Sequence, residues 1–133
     1  MKLSKYLLLG LILLGANLVW AGKPIQNIED EVVPPKFDGS ARTLEDVRTA
    51  IAEGCKGKGW RPVMDGETKI TCSILVRGKH YAEVSIPFSV SNYSILYSNS
   101  RVLDYDAERQ RIHKKYNGWV LNLNASIQRQ FAL

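Results

Sequence analysis

Four side chains in this sequence are equipped for nucleophilic, redox or metal chemistry: Cys55, Cys72, His80 and His113, its only cysteines and histidines. The two cysteines are too far apart for a C-x-x-C redox motif and too few for a four-thiolate zinc site. Joined by the histidines they make a Cys₂His₂ set, but the spacing fits no zinc template. A cysteine–histidine hydrolase needs an accessible, low-pKa thiolate beside an oriented base. Both cysteines instead fall on apolar stripes, one near the end of a helical pattern and one in mid-strand. If that helix packs on that strand the sulfurs can meet, and an oxidising compartment would close a disulfide. The expectation is a Cys55–Cys72 bond, with no metal and no cofactor. No Gly-x-Ser-x-Gly elbow, His-Glu-x-x-His pair or phosphate-cradling loop occurs, so no enzymatic activity is expected. The competing reading is a small thiol-dependent enzyme or redox protein using Cys55 or Cys72 with His80 or His113.

Binding chemistry has more candidates. From Arg77 to the end there are eight Lys/Arg against four Asp/Glu, and Arg109, Arg111, Lys114 and Lys115 gather where a last helix should begin. A solvated charge run is the plain reading; an anion-binding patch for lipid headgroups, phosphates or an acidic partner is the functional one. Arg77, His80, Tyr81 and Glu83 are expected on the open face of a sheet, with Tyr81 as the contact aromatic.

These residues must be carried by a small number of elements. Thr43 and Asp46 predict a capping box, and Leu44, Val47, Ile51 and Cys55 share one face of the helix that follows. Gly54, Gly57 and Gly59 are expected to end it. Trp60 and Val63 suggest a first short strand, with Asp65-Gly66 as a two-residue type I′ turn. Ile70, Cys72, Ile74 and Val76 alternate with polar positions, a half-buried strand. Gly78-Lys79 suggests a II′ turn into a strand burying Ala82, Val84, Ile86 and Phe88, with Pro87 marking an edge or bulge. Tyr93, Ile95 and Tyr97 line a fourth strand, and residues 99–108 a polar connection anchored by Leu103 and Tyr105. Ile112, Tyr116, Trp119, Val120, Leu123 and Ile127 predict a helix over 111–130. The fold class is α+β: a two-layer α-β4-α domain over 43–133, an antiparallel four-stranded meander with both helices on one face. Residues 22–42, with Pro24, Pro34, Pro35 and Gly39, read as an irregular arm.

The chain has 133 residues, 45% of them apolar, and a formal charge of +5, which allows one domain and excludes a disordered or collagen-like polypeptide. Residues 1–21 read as a secretory signal peptide: Lys2 and Lys5, an apolar run, then Val19-Trp20-Ala21 before Gly22. Cleavage there removes two lysines and no acid, lowering the charge by two. No cysteine lies near the cut to take a lipid anchor. No later run is long enough to span a bilayer.

The segments Gly59-Trp60, Arg77-Gly-Lys-His80-Tyr-Ala82-Glu-Val84-Ser-Ile86, Tyr93-Ser-Ile95-Leu-Tyr97 and Ile112-His-Lys-Lys-Tyr116-Asn117-Gly-Trp119-Val120 resemble a family of small exported bacterial proteins, many of them lipoproteins, with no assigned activity. Lys114 stands where that family often has proline, and Cys72 where it often has a small residue. The resemblance implies an exported α+β domain and supplies no catalytic residues. The expected function is therefore a periplasmic or secreted, non-enzymatic binding module of the cell envelope, its partner an envelope protein or an anionic envelope component and not nucleic acid. A structural accessory pairing through a sheet edge is a third reading.

Overall fold

A computed structural model describes residues 22–133; the expected signal peptide lies outside the described residues. The chain is α+β, and its elements follow in the order β1 (Lys23–Pro24), β2 (Ile28–Val32), α1 (Leu44–Gly57), β3 (Arg61–Met64), β4 (Lys69–Val76), β5 (His80–Pro87), β6 (Asn92–Arg101), β7 (Arg111–Ile112) and α2 (Tyr116–Phe131).

The main sheet has five antiparallel strands in the order β2-β6-β5-β4-β3, and β1 pairs with β7 in a separate two-stranded ribbon. The expected four-stranded meander is therefore present but incomplete. The segment read as an arm supplies the fifth strand and half of the ribbon. Its contacts are non-local: Ile28 is paired with Ile95, and Val33 N–H donates to Ser91 C=O at 2.9 Å. Prolines flank β2 and a register shift interrupts it, so its sequence carries no alternation to read. Val33 is buried, while Val32 and Phe37 remain exposed.

Helix α1 begins as the capping chemistry requires. Thr43 Oγ1 accepts from Asp46 N–H at 3.1 Å, and Asp46 Oδ2 accepts from Thr43 N–H at 2.8 Å. These bonds from Thr43 hold the Asp46 carboxyl below its ordinary pKa. The chain leaves the helix through Lys58 and Gly59, whose φ is +80°. Trp60 N–H reaches back to Cys55 C=O at 2.9 Å and Gly59 N–H to Lys56 C=O at 3.1 Å, the paired bonds of a Schellman motif. Gly57 is the last residue of α1, as expected, whereas Gly54 does not terminate the helix. It sits inside it, and a Cβ on Gly54 would lie 2.6 Å from Ile127 Cα. The missing side chain lets α1 and α2 touch backbone to backbone, and Ser126 Oγ donates to Gly54 C=O at 2.8 Å across the contact.

Cys72, Val84 and Tyr97 lie in register across β4, β5 and β6 and so face the same side. Cys55 of α1 is joined to Cys72 as a disulfide, with Cα atoms 6.6 Å apart. Tyr116 of α2 meets Tyr97 edge-on at 5.8 Å. Both helices therefore cover one face of the sheet, and the core of Val47, Ile51, Ile70, Ile86, Ile95, Leu123 and Ile127 fills the space between layers. Each such side chain contributes roughly 1.5–3 kcal/mol by leaving water. For a loop of this size the disulfide adds about 3 kcal/mol in the chain-entropy account.

Three local expectations are corrected. The β3–β4 connection spans Asp65 to Thr68, closed by Asp65 N–H to Lys69 C=O at 2.9 Å, and is longer than a two-residue turn. The β4–β5 hairpin reverses at Arg77-Gly78, both with positive φ (56° and 66°), the type I′ pattern one residue earlier than the Gly78-Lys79 turn. The last helix starts at Tyr116, not near 111. Residues 111 and 112 pair with β1, and His113 N–H donates to Leu103 C=O at 2.8 Å. Those long-range bonds claim the backbone groups that a helix would have used.

Candidate functional site

Cys55 and Cys72 are fully buried and bonded to each other, and no free cysteine remains among the described residues. The expected pairing is present, and a thiolate nucleophile is not.

Strand alternation divides the other predicted residues between two faces. Tyr81 and Glu83 point to the open face. Tyr81 Oη donates to Glu83 Oε1 at 2.9 Å, Ser98 Oγ donates to Glu83 Oε2 at 2.8 Å, and the Arg101 guanidinium lies 4.0 Å over the Tyr81 ring. Burial, and then the hydrogen bond to Glu83, raise the Tyr81 phenol above its ordinary pKa. Both Glu83 oxygens and the Tyr81 ring are thus engaged with neighbours. Arg101 joins them because β6 runs on to residue 101 and pairs it with Tyr81, a stretch that reads as polar connection in the sequence.

His80 does not join them. It lies at the first position of β5, paired with Val76, and so faces the helix layer at the sheet's end. Its Nδ1 sits 2.8 Å from Val102 C=O. A carbonyl only accepts, so this nitrogen carries the proton and Nε2 keeps its lone pair in the neutral ring. His113 has the opposite arrangement. Its Nδ1 accepts from Lys115 N–H at 3.2 Å, and a backbone N–H only donates, so the neutral ring carries its proton on Nε2. The two ring centroids are 6.2 Å apart, tilted by 38°.

Between these rings lies a cavity of about 80 Å³ lined by Val76, Arg77, His80, Leu103, His113, Lys115 and Trp119. Its lining residues include two histidines, an arginine and a lysine, and no acid. They come from two places in the fold: Arg77 and His80 from the β4–β5 hairpin, and His113 and Lys115 from the link between β7 and α2. A shallower cavity of about 230 Å³ shares His113 and adds Gly22, Lys23, Asp104 and Lys114. Helix α2 opens beside them with no acidic residue in its first turn and no side-chain cap, so its positive end adds to the local field.

The basic group expected at the start of the last helix is also divided. Lys114 and Lys115 line the two cavities. Arg109 Nη1 pairs with Asp106 Oδ2 at 2.9 Å, and Arg111 Nη2 donates to Gly22 C=O at 2.9 Å; these two brace the loop and the β1–β7 ribbon. The site that results joins Arg77, His80 and Lys115, three of the expected binding residues, with His113, which the sequence offers as a partner for a thiol or as a member of a Cys₂His₂ set. Trp119, assigned to the core stripe, is half-buried and forms part of the wall.

Such a set of groups suits a negative guest. A cation would need lone pairs, and His113 presents an N–H among two permanent positive charges. No group of three or more His, Cys, Asp or Glu side chains that could hold a metal occurs among the described residues. No helix among them is long and apolar enough to cross a membrane. No protein-family model, curated protein or solved structure matches the chain.

Proposed function

We propose that this protein is an exported, non-enzymatic binding module of the bacterial cell envelope that docks an anionic component of that compartment. The observation that carries this reading is the convergence of Arg77, His80, His113 and Lys115 on one small cavity that no acid lines. A buried disulfide supports residence in an oxidising compartment, periplasmic or extracellular. Recognition then rests on charge and shape, and no bond is made or broken.

The competing readings have less support. Chemistry through Cys55 or Cys72 with a histidine would first require reduction of a bond whose sulfurs are shielded from solvent. Pairing through a sheet edge meets a β3 of four residues containing Pro62, and a β2 broken by a register shift with Asp30 at φ 52°. Short, proline-bearing or bulged edges discourage added strands.

Native mass spectrometry of the protein recovered from its own compartment, before and after reduction, tests the reading. The expected mass is that of residues 22–133 with the disulfide closed, accompanied by a bound anionic component or an envelope partner. An unprocessed chain with free thiols, or turnover of a bound molecule into product, overturns it.

A further inference from the structure

Resting on that binding reading, we propose that the cavity between His80 and His113 is a site for a phosphoryl group. At about 80 Å³ it is far smaller than the roughly 300–1,000 Å³ that houses a drug-sized ligand. It therefore takes a head group and leaves the remainder of the ligand outside, towards the cavity lined by Lys23 and Lys114.

The donors indicate which head group. A guanidinium offers a planar fork that grips two oxygens, an ammonium adds a point charge, and His113 Nε2–H adds a third, neutral donor. Donors from the hairpin tip (Arg77) and from the β7–α2 link (His113 and Lys115) suit an anion with several splayed oxygens, such as a tetrahedral phosphoryl group. His80 supplies what the others lack. Its Val102 bond leaves Nε2 as an acceptor, which can take the hydrogen of a P–OH; a fully ionised sulfate has no hydrogen to give. The pair of opposite tautomers thus favours phosphate over sulfate at equal charge. Asp104, which lines the adjoining cavity, is the one acid among the residues lining the two and limits how far a second anionic group can extend that way.

Arg77 holds its place through the turn. As the first residue of the Arg77-Gly78 reversal, at φ 56°, it has a backbone that the β4–β5 register defines on both sides. It thereby stands at the hairpin tip, three residues before His80 opens β5.

The test uses protein exported with its own leader, purified with the disulfide closed and labelled for NMR. Inorganic phosphate, glycerol phosphate and sulfate are titrated at constant ionic strength. Vesicles of phosphatidic acid and of phosphatidylcholine are compared by co-sedimentation. Saturable shifts of the His80 and His113 imidazoles and the Lys115 amide by phosphate, weaker with sulfate, are expected. Arg77→Gln and Lys115→Gln should each weaken the response by about tenfold, with the remaining amide spectrum unchanged. Response to the soluble phosphates alone identifies a small phosphorylated ligand; phosphatidic acid binding competed by phosphate identifies a lipid headgroup, and both support the site. Absence of saturation below about 1 mM phosphate together with no vesicle binding, or equal responses in the variants, overturns it. A partner retained in native mass spectra by both variants would leave the binding module standing and remove only the phosphoryl site.

Discussion

At the scale of single residues, the molecule depends most on positions whose importance lies in what they leave room for. Gly54 is buried inside α1, where glycine normally costs about 1 kcal/mol relative to alanine. Its missing Cβ lets Ile127 approach, since an added carbon would sit 2.6 Å from the Ile127 Cα and side chain and 2.9 Å from its backbone nitrogen. Gly54→Ala should therefore destabilise the fold by roughly 1–3 kcal/mol despite the better helix propensity, read as a lower urea midpoint at unchanged slope; a neutral or stabilising result would mean that the helices can part at little cost. The buried tyrosines have a different signature. Burial raises the phenol pKa of Tyr93 and, with a smaller effect from Tyr97, that of Tyr116. A folded value above the unfolded one of about 10 means that stability is complete below that pH and is lost as pH rises through the window above it. The urea midpoint should fall above about pH 10, with tyrosinate absorbance appearing as the chain unfolds. Tyr116→Phe should flatten that fall; an identical slope in the variant would exclude Tyr116 as a source.

At the scale of elements, the N-terminal strands are the part most dependent on side-chain anchors. Asn117, in the first turn of α2, donates through Nδ2 to Pro24 C=O at 2.9 Å and accepts from Gln26 N–H at 3.0 Å. Arg42 Nη2 donates to Phe131 C=O at 2.6 Å and Arg42 Nε to Pro34 C=O at 2.8 Å, joining the other end of this segment to the negative end of α2. Two-residue β1 supplies little pairing of its own. Asn117→Ala should release residues 23–26, raising their amide exchange by about tenfold, an opening free energy lower by one to two ordinary hydrogen bonds, while the amides of β4 and β5 keep their protection. Unchanged exchange at Ile25 and Gln26 would show that ribbon pairing alone holds the segment. The same region borders the cationic cleft through Gly22 and Lys23, so its order bears on the proposed binding site as well as on stability.

At the scale of the whole molecule, the two helices and five-stranded sheet among the described residues leave one sheet face to solvent and place the cationic cleft at the end where the β4–β5 hairpin meets the start of α2. Much of this is legible in the chain, because short-range patterns produce it. The Thr43–Asp46 cap, the alternation of Ile70 and Cys72 and of Ala82, Val84 and Ile86, and the helical stripe from Tyr116 to Ile127 each follow from neighbours a few residues apart, where backbone geometry dictates which side chains share a face. Even the disulfide is foreshadowed, since Cys55 and Cys72 lie on stripes that must face one core. What only the tertiary structure decided is whatever rests on partners far apart in sequence. β2 exists because β6 accepts it, residues 111 and 112 are strand because β1 lies beside them, and Gly54 is a helix contact because Ile127 arrives there. Candidate binding residues divided for the same reason: alternation along β5 sends Tyr81 and His80 to opposite faces. The ring that His80 meets, His113, stands 33 positions later, and only the closing of the fold brings the two to one cavity.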